Sequence, residues 1–295
     1  MAGASAASAL RCGDRCFDIG RRTVVMGIVN VTPDSFSDGG HHLDAADAYD
    51  HAMRLLEDGA DVVDVGAEST RPGATPVAAS EELRRLVPVL QRLADAGVRC
   101  VSVDTYKADV ARAALDLGAA WINDTSALAD PEMITVARGA DALVVMHQRP
   151  MRAGRPGDDV VYEDVVAEVR RHLLAVVAGA VEQGMSRDRI IIDPGIGFGK
   201  SVDDNVRLLE RVGDLSDIAP VLVGPSRKRF LAAITASDDI ADRDAATVGA
   251  CCLAATSGAS IVRVHSVRQV RHALDVIDAA RCGRVSEGPV RSDAD

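Results

Sequence analysis

Eight short apolar runs, separated by amphipathic Ala- and Leu-rich segments, predict a single (β/α)8 barrel for this 295-residue chain. The length suits one such barrel, which commonly takes about 250 residues. Polar residues gather just after the apolar runs, where a barrel keeps its chemistry.

The runs are Val24 to Val31, Val62 to Ala67, Cys100 to Thr105, Ala120 to Asp124, Ala142 to His147, Ile190 to Pro194, Val221 to Pro225 and Ile261 to His265. Most are continuously apolar, as strands covered on both faces should be. Helical spacing marks Asp44 to Asp58, Ser80 to Ala96, Ala108 to Leu117, Tyr162 to Gln183 and Val267 to Arg281 between them. A doubly wound open sheet would thread the same elements, but it calls for a phosphate-binding Gly loop after the first strand. Phe17 to Arg22 reads as a small hairpin plugging the barrel bottom, and Gln148 to Val161 as a long loop. The expected organisation is a disordered N-terminus over 1–12, a barrel over 13–282 and a flexible tail over 283–295.

Aromatic residues make up 3% of the chain against 47% hydrophobic residues overall, so the core must be built from Val, Ile, Leu and Ala. A formal net charge of -11 provides no general attraction to nucleic acid or an anionic membrane, so an anionic ligand needs a local basic cluster. The six cysteines show neither zinc-ligand nor disulfide-framework spacing. No stretch approaches the roughly 18 uninterrupted apolar residues of a membrane span, and the N-terminal segment lacks a signal-peptide pattern, so a cytoplasmic location is expected.

At the strand ends stand Asn30, Glu68, Asp104, Thr105, Asn123, Asp124, Met146, His147, Asp193, Ser226, Arg227, Lys228, Arg263 and His265. A single Asp in such a place is more often a turn or cap residue than a catalytic one. Convergence at all eight ends favours a site. Asp104, Asn123 and Asp193 suit the donor edge of a flat heterocycle, while Lys228, Arg263 and His265 suit carbonyl and phosphate oxygens. The segment GIGFGK (Gly195 to Lys200) lacks Walker spacing, so its glycines are read as permitting close backbone approach. His41 and His42 read as a solvated loop.

The motifs MGIVNVTPDSFSDGG (Met26 to Gly40), ESTRPGA (Glu68 to Ala74), SVDT (Ser102 to Thr105), IND (Ile122 to Asp124), DPGIGFGK (Asp193 to Lys200), SRKRF (Ser226 to Phe230) and RVH (Arg263 to His265) together resemble the dihydropteroate synthase family. The resemblance implies condensation of 6-hydroxymethyl-7,8-dihydropterin pyrophosphate with para-aminobenzoate, giving dihydropteroate and pyrophosphate. By the same resemblance, Asp104, Asn123, Met146, Asp193, Phe198, Gly224 and Lys228 line the pterin pocket, Asn30 coordinates Mg²⁺, and Arg263 and His265 bind phosphate oxygens. Asn30, Asp104, Lys228, Arg263 and His265 form its catalytic set. Two loops carrying Thr32, Pro33, Asp34, Ser35, Phe36, Thr70, Arg71 and Pro72, with Ser226, form the aminobenzoate pocket. A homodimer is implied as well. His265 is expected to bind anions best when protonated, with a pKa of about 6.5 before perturbation.

Some positions depart from the family pattern: Thr125 and Ala127 after Ile122-Asn123-Asp124, Pro225 before Ser226, Ser266 after His265, Ala67 before Glu68, and Gln148-Arg149-Pro150 after His147. Ala127 is expected to deny the left-handed backbone that Gly allows. These departures carry a second reading, a diverged paralogue that binds pterin weakly and has little or no synthase activity.

Overall fold

The computed structural model describes residues 9–31, 41–68, 76–148 and 161–282, without the side chains of residues 41–44. Residues 1–8 and the expected tail over 283–295 lie outside them. The strands are β1 (Ala9–Cys12), β2 (Arg15–Asp18), β3 (Val24–Asn30), β4 (Val62–Gly66), β5 (Val101–Asp104), β6 (Trp121–Asp124), β7 (Ala142–Met146), β8 (Ile190–Asp193), β9 (Leu222–Val223) and β10 (Ile261–Val264). Between and after them come α1 (His41–Glu57), α2 (Ala79–Asp95), α3 (Ala108–Asp116), α4 (Met133–Ala137), α5 (Val165–Glu182), α6 (Val202–Glu210), α7 (Arg229–Thr235), α8 (Ile240–Thr256) and α9 (Val267–Cys282).

Eight parallel strands run in the order β8-β7-β6-β5-β4-β3-β10-β9. The ring is closed between β8 and β9 by an Ile192 to Val221 bridge and an Ile192 N–H bond to the Pro220 carbonyl at 3.0 Å. This is the predicted (β/α)8 barrel. Alternation along each strand separates its two sides: Val24 and Met26 pack into the barrel interior, whereas Val25 and Val29 pack outward with helical residues such as Ala48, Ala52 and Leu86. Strand β9 keeps two residues of the predicted five because Pro220 and Pro225 bracket it without N–H donors.

The hairpin lies earlier than expected. β1 pairs antiparallel with β2 from Ala9 opposite Asp18 to Cys12 opposite Arg15, so residues 9–12 belong to the fold, not to a disordered N-terminus. Their side chains alternate exposed and buried. Leu10, Cys12 and Phe17 close the barrel bottom against Trp121, Val62 and Ile261. The Trp121 indole N–H donates to the Arg11 carbonyl at 2.6 Å, and the Gly13 N–H to Asp141 at 2.7 Å.

A buried ionic knot ties the last helix to the first barrel strand at that same end. Arg271 of α9 donates to the Thr23 carbonyl at 2.8 Å and to Asp278 at 3.0 Å. Asp278 in turn accepts from the Thr23 N–H and hydroxyl at 3.0 and 2.9 Å. Asp61 accepts from the Val25 N–H at 3.0 Å and from Arg22. Gly59, at φ +100°, leaves room for this knot, since a Cβ there would stand 2.9 Å from Arg271 Cγ.

Candidate active site

The strand register brings the predicted polar residues to one mouth. Asn30 pairs with Gly66, Gly66 with Asp104, Asp104 with Asn123, and Met146 with Asp193. Ser226, Lys228 and His265 follow the ends of β9 and β10 at this same rim. Asn30, Asp104, Asn123, Met146, Asp193, Gly224, Ser226, Lys228, Arg263 and His265 are therefore assembled as the sequence predicts. Thr32, Pro33, Asp34, Ser35, Phe36, Thr70, Arg71 and Pro72 lie outside the described residues, as do residues 149–160.

Arg263 sits at the centre. Its Nε donates to Asp64 at 2.6 Å and its Nη2 to Asp104 at 2.7 Å. Asn123, 3% exposed, donates its Nδ2 to the same Asp64 oxygen at 2.9 Å. Burial pushes the Asp104 carboxyl up to about 7; Arg263 pulls it down, and Asp64 and Glu82 push it further up. Asp193 is also raised by burial, against the Gly195 N–H bond at 2.7 Å and the nearby Lys228.

Lys228 lies with Nζ 3.8 Å from the centre of the Phe198 ring. Burial brings its ammonium down to about 8, Arg263 adds to that fall, and Asp193 and Asp104 oppose it. The glycine loop makes this stacking possible: Gly197, at φ +79°, would place a Cβ 2.8 Å from Lys228 Cδ. Gly195, at φ +69°, would drive one to 2.0 Å from the His147 carbonyl. These glycines thus admit neighbouring protein atoms. Lys200 folds the loop from within, donating to the Gly195 and Phe198 carbonyls at 2.9 and 3.0 Å and lying 3.1 Å from His147 Nδ1.

The expectation that His265 titrates at about 6.5 is corrected. Burial, then Arg227 and Arg263, lower its pKa to about 3, so the imidazole is neutral. Its Nδ1 lies 2.9 Å from the Ser226 hydroxyl, which also accepts the His265 N–H at 3.1 Å. Anion affinity should accordingly stay flat through pH 6.5. At the next residue, Ser266 replaces the family's usual acid without loss of charge balance, because Asp244 pairs with Arg227 at 2.7 and 2.8 Å.

Asp124 is a turn former: it accepts from the Ser126 N–H at 2.6 Å and the Leu128 N–H at 3.2 Å. That turn corrects the reading of Ala127. Ala127 and Leu128 both take left-handed backbone, at φ 58° and 65°. The conformation persists despite the methyl group, at a cost of about 1 kcal/mol per residue. Ala127→Gly should therefore stabilise the protein by about 0.5 to 1 kcal/mol, seen as a higher midpoint in urea unfolding. An unchanged or lower midpoint would contradict the strain.

Asp64, Lys107 and Glu82 escaped sequence reasoning, which singles out Glu68 only as a strand-end residue and Lys200 only as part of GIGFGK. Lys107 pairs with Glu68 and, at 2.5 Å, with buried Glu82, while the Tyr106 hydroxyl donates to Glu68 at 2.9 Å. Glu68 is the residue from which the second loop departs. An Asp inside the apolar run VVDVG, in phase with Gly66, was the available signal for Asp64.

A barrel mouth holding carboxylates, an amide and buried cations defines an enzyme site for a polar heterocycle that bears an anionic group. Comparison with known proteins narrows the class. Residues 26–265 match the family model described as Pterin binding enzyme. Over 263 residues the chain is 48% identical to the dihydropteroate synthase of Mycobacterium leprae (strain TN), with 86% of this chain and 92% of that protein covered. A Xanthomonas albilineans dihydropteroate synthase with 4-aminobenzoic acid superposes with a TM-score of 0.84 at 45% identity, covering 93% of this chain and 98% of that one. The same organism's enzyme in complex with 7,8-dihydropteroate superposes with a TM-score of 0.82 at 42% identity, covering 92% and 98%. The chain belongs to the dihydropteroate synthase family of pterin binding enzymes.

Proposed function

We propose that the chain is a dihydropteroate synthase, a transferase of folate biosynthesis that joins 6-hydroxymethyl-7,8-dihydropterin pyrophosphate to para-aminobenzoate. The observation carrying this reading is the meeting of Asp104, Asn123, Asp193 and Lys228 at one mouth in a family member. Asp104, Asp193 and the Asn123 carbonyl accept hydrogen bonds from the N–H and NH₂ groups of the pterin edge, and Lys228 donates to its carbonyl oxygen. Met146, Phe198 and Gly224 give apolar and backbone surface to the ring. The aniline nitrogen forms the new C–N bond as the C–O bond to pyrophosphate breaks, and the displaced aniline proton passes to solvent or the leaving group. No strong base is required. Thr32 to Phe36 and Thr70 to Pro72, with Ser226, are the residues that the family resemblance assigns to the aminobenzoate.

Mg²⁺ belongs to the proposal. Among the described residues no group of three or more His, Cys, Asp or Glu could hold a metal ion. A carboxamide such as Asn30 provides one oxygen, which suits an ion that takes most of its ligands from a diphosphate and water. Bound there, Mg²⁺ supplies charge neutralisation to the leaving group. His265 acts as a neutral donor to phosphate oxygen, and Arg263 adds positive charge with two of its nitrogens already on carboxylates. No helix among the described residues is long and apolar enough to cross a membrane. A cytoplasmic homodimer completes the proposal, and sedimentation should read twice the chain mass.

The departures at Ala127 and Ser266 are absorbed locally, by the turn at Asp124 and by Asp244 beside Arg227. This supports a working synthase over a diverged paralogue. Incubating the pure protein with both substrates and Mg²⁺ should yield dihydropteroate and pyrophosphate in equal amounts. Weak pterin binding with little or no product would support the paralogue instead.

A further inference from the structure

Asp64 of β4 is fully buried, at 0% exposure, yet what it holds are residues of the site. One oxygen, Oδ2, accepts from both Asn123 Nδ2 at 2.9 Å and Arg263 Nε at 2.6 Å. A carboxylate only accepts, so Asn123 must spend its NH₂ on Asp64. That decides which way the amide faces, leaving its carbonyl oxygen for other partners. Arg263 is fixed at the same time, spanning Asp64 and Asp104. The other oxygen, Oδ1, has no protein partner among the described residues, and neither has the buried hydroxyl of Ser102, its register neighbour on β5. A residue serving only to bind strands together would have both oxygens satisfied by its neighbours.

We propose that Asp64 is a positioning residue for the pterin half of the reaction, turning the Asn123 amide so that its carbonyl oxygen meets the ligand and holding Arg263 against Asp104. It acts through its two partners and does not touch substrate. The consequence is specificity. With Asn123 as an acceptor beside Asp104 and Asp193, the site selects a ring edge made of donors and rejects one made of bare ring nitrogens, which would leave buried acceptors unmet. The proposal rests on the synthase reading given above.

Two variants test it, with wild type as the control for that reading. Asp64→Leu removes the acceptor at similar size. It should weaken calorimetric binding of the pterin pyrophosphate about tenfold or more, as expected when a buried donor loses its acceptor. Its KM for para-aminobenzoate should stay within about twofold, because nothing that touches Asp64 belongs to that pocket. Asp64→Asn keeps the shape and one acceptor oxygen, so its loss of pterin affinity should be smaller and again confined to pterin. It should also move the acid limb of kcat/KM to lower pH. Asp104 would then face the cations Arg263 and Lys228 with Glu82 as its like-charged neighbour. A purely structural role would not confine the loss to pterin.

Wild type that binds no pterin would defeat the synthase reading, not this one. With wild type binding, folded variants of unchanged pterin affinity overturn the proposal. So do equal losses for both substrates, or loss of fold in both variants, since either makes Asp64 structural. Should Asp64→Leu alone fail to fold, the substrate split and pH limb of Asp64→Asn decide.

Discussion

Replacing Lys228 by Met is expected to lower kcat/KM by about 10²- to 10³-fold, the usual loss when a preorganised donor is removed from a dry site. Met keeps the chain's bulk against Phe198 and Gly197 but cannot carry charge or donate. The pH profile gives the sharper test. Lys228 gives a charge-assisted hydrogen bond only while protonated, and burial has brought its pKa down to about 8. Wild-type activity should thus fall as pH rises through about 8, and that limb should vanish in the variant. On the acid side, Asp104 accepts through both oxygens only while ionised, and burial has raised it to about 7. Activity should fall as pH drops below that value. The wild-type profile is therefore a narrow bell between the two, read from kcat/KM as a property of the free enzyme. An alkaline limb that survives unchanged in Lys228→Met would assign it to another group.

Arg271→Leu should cost about 3 to 5 kcal/mol of stability, because it strips one partner from a buried charge network. Asp278, Asp61 and Thr23 are all under 10% exposed, so the carboxylates left behind have little access to water. Arg271 also bonds the carbonyl of Thr23, the residue before β3, so its loss loosens α9 from the first strand of the barrel. Thermal melting should show a fall in Tm of roughly 10 °C. The substrate KM values of the folded variant should hold, since the knot lies at the opposite end from the site. A Tm within about 2 °C of wild type would show the network to be dispensable.

The barrel was legible because its signals are local. Eight aliphatic runs of strand length, alternating with strong helix patterns and lacking a phosphate-binding Gly loop after the first, favour a barrel over a doubly wound sheet. Position at the end of the last strand also put Arg263 and His265 at the barrel mouth, Arg263 within β10 and His265 just past it. Partners were not legible. Arg263 meets Asp64 and Asp104 from strands 199 and 159 residues away in sequence, and no spacing rule reports such a meeting. The neutral state of His265 depends likewise on burial and then on Arg227, which arrives from the segment after β9. Asp64 hid inside an apolar strand. The hairpin at Ala9–Asp18 was misplaced because its four-residue strands carry too few apolar residues to announce themselves. Ala127 shows the limit of a propensity argument: one carboxylate, that of Asp124, outweighs the preference of the residue.

The central claim is that the polar residues at the strand ends form one pterin pocket, and calorimetric titration with the pterin pyrophosphate and Mg²⁺ tests it most directly. Asp193 is the residue to vary, because its buried carboxylate faces Lys228 and Lys200 and is shaped by the Gly195 N–H. Wild type should bind saturably at one site per chain. Asp193→Ala, folded by circular dichroism, should lose about tenfold to a hundredfold in affinity, the cost of an unmet donor in a dry pocket. Equal affinities for the two proteins, or no binding by wild type, would contradict the account.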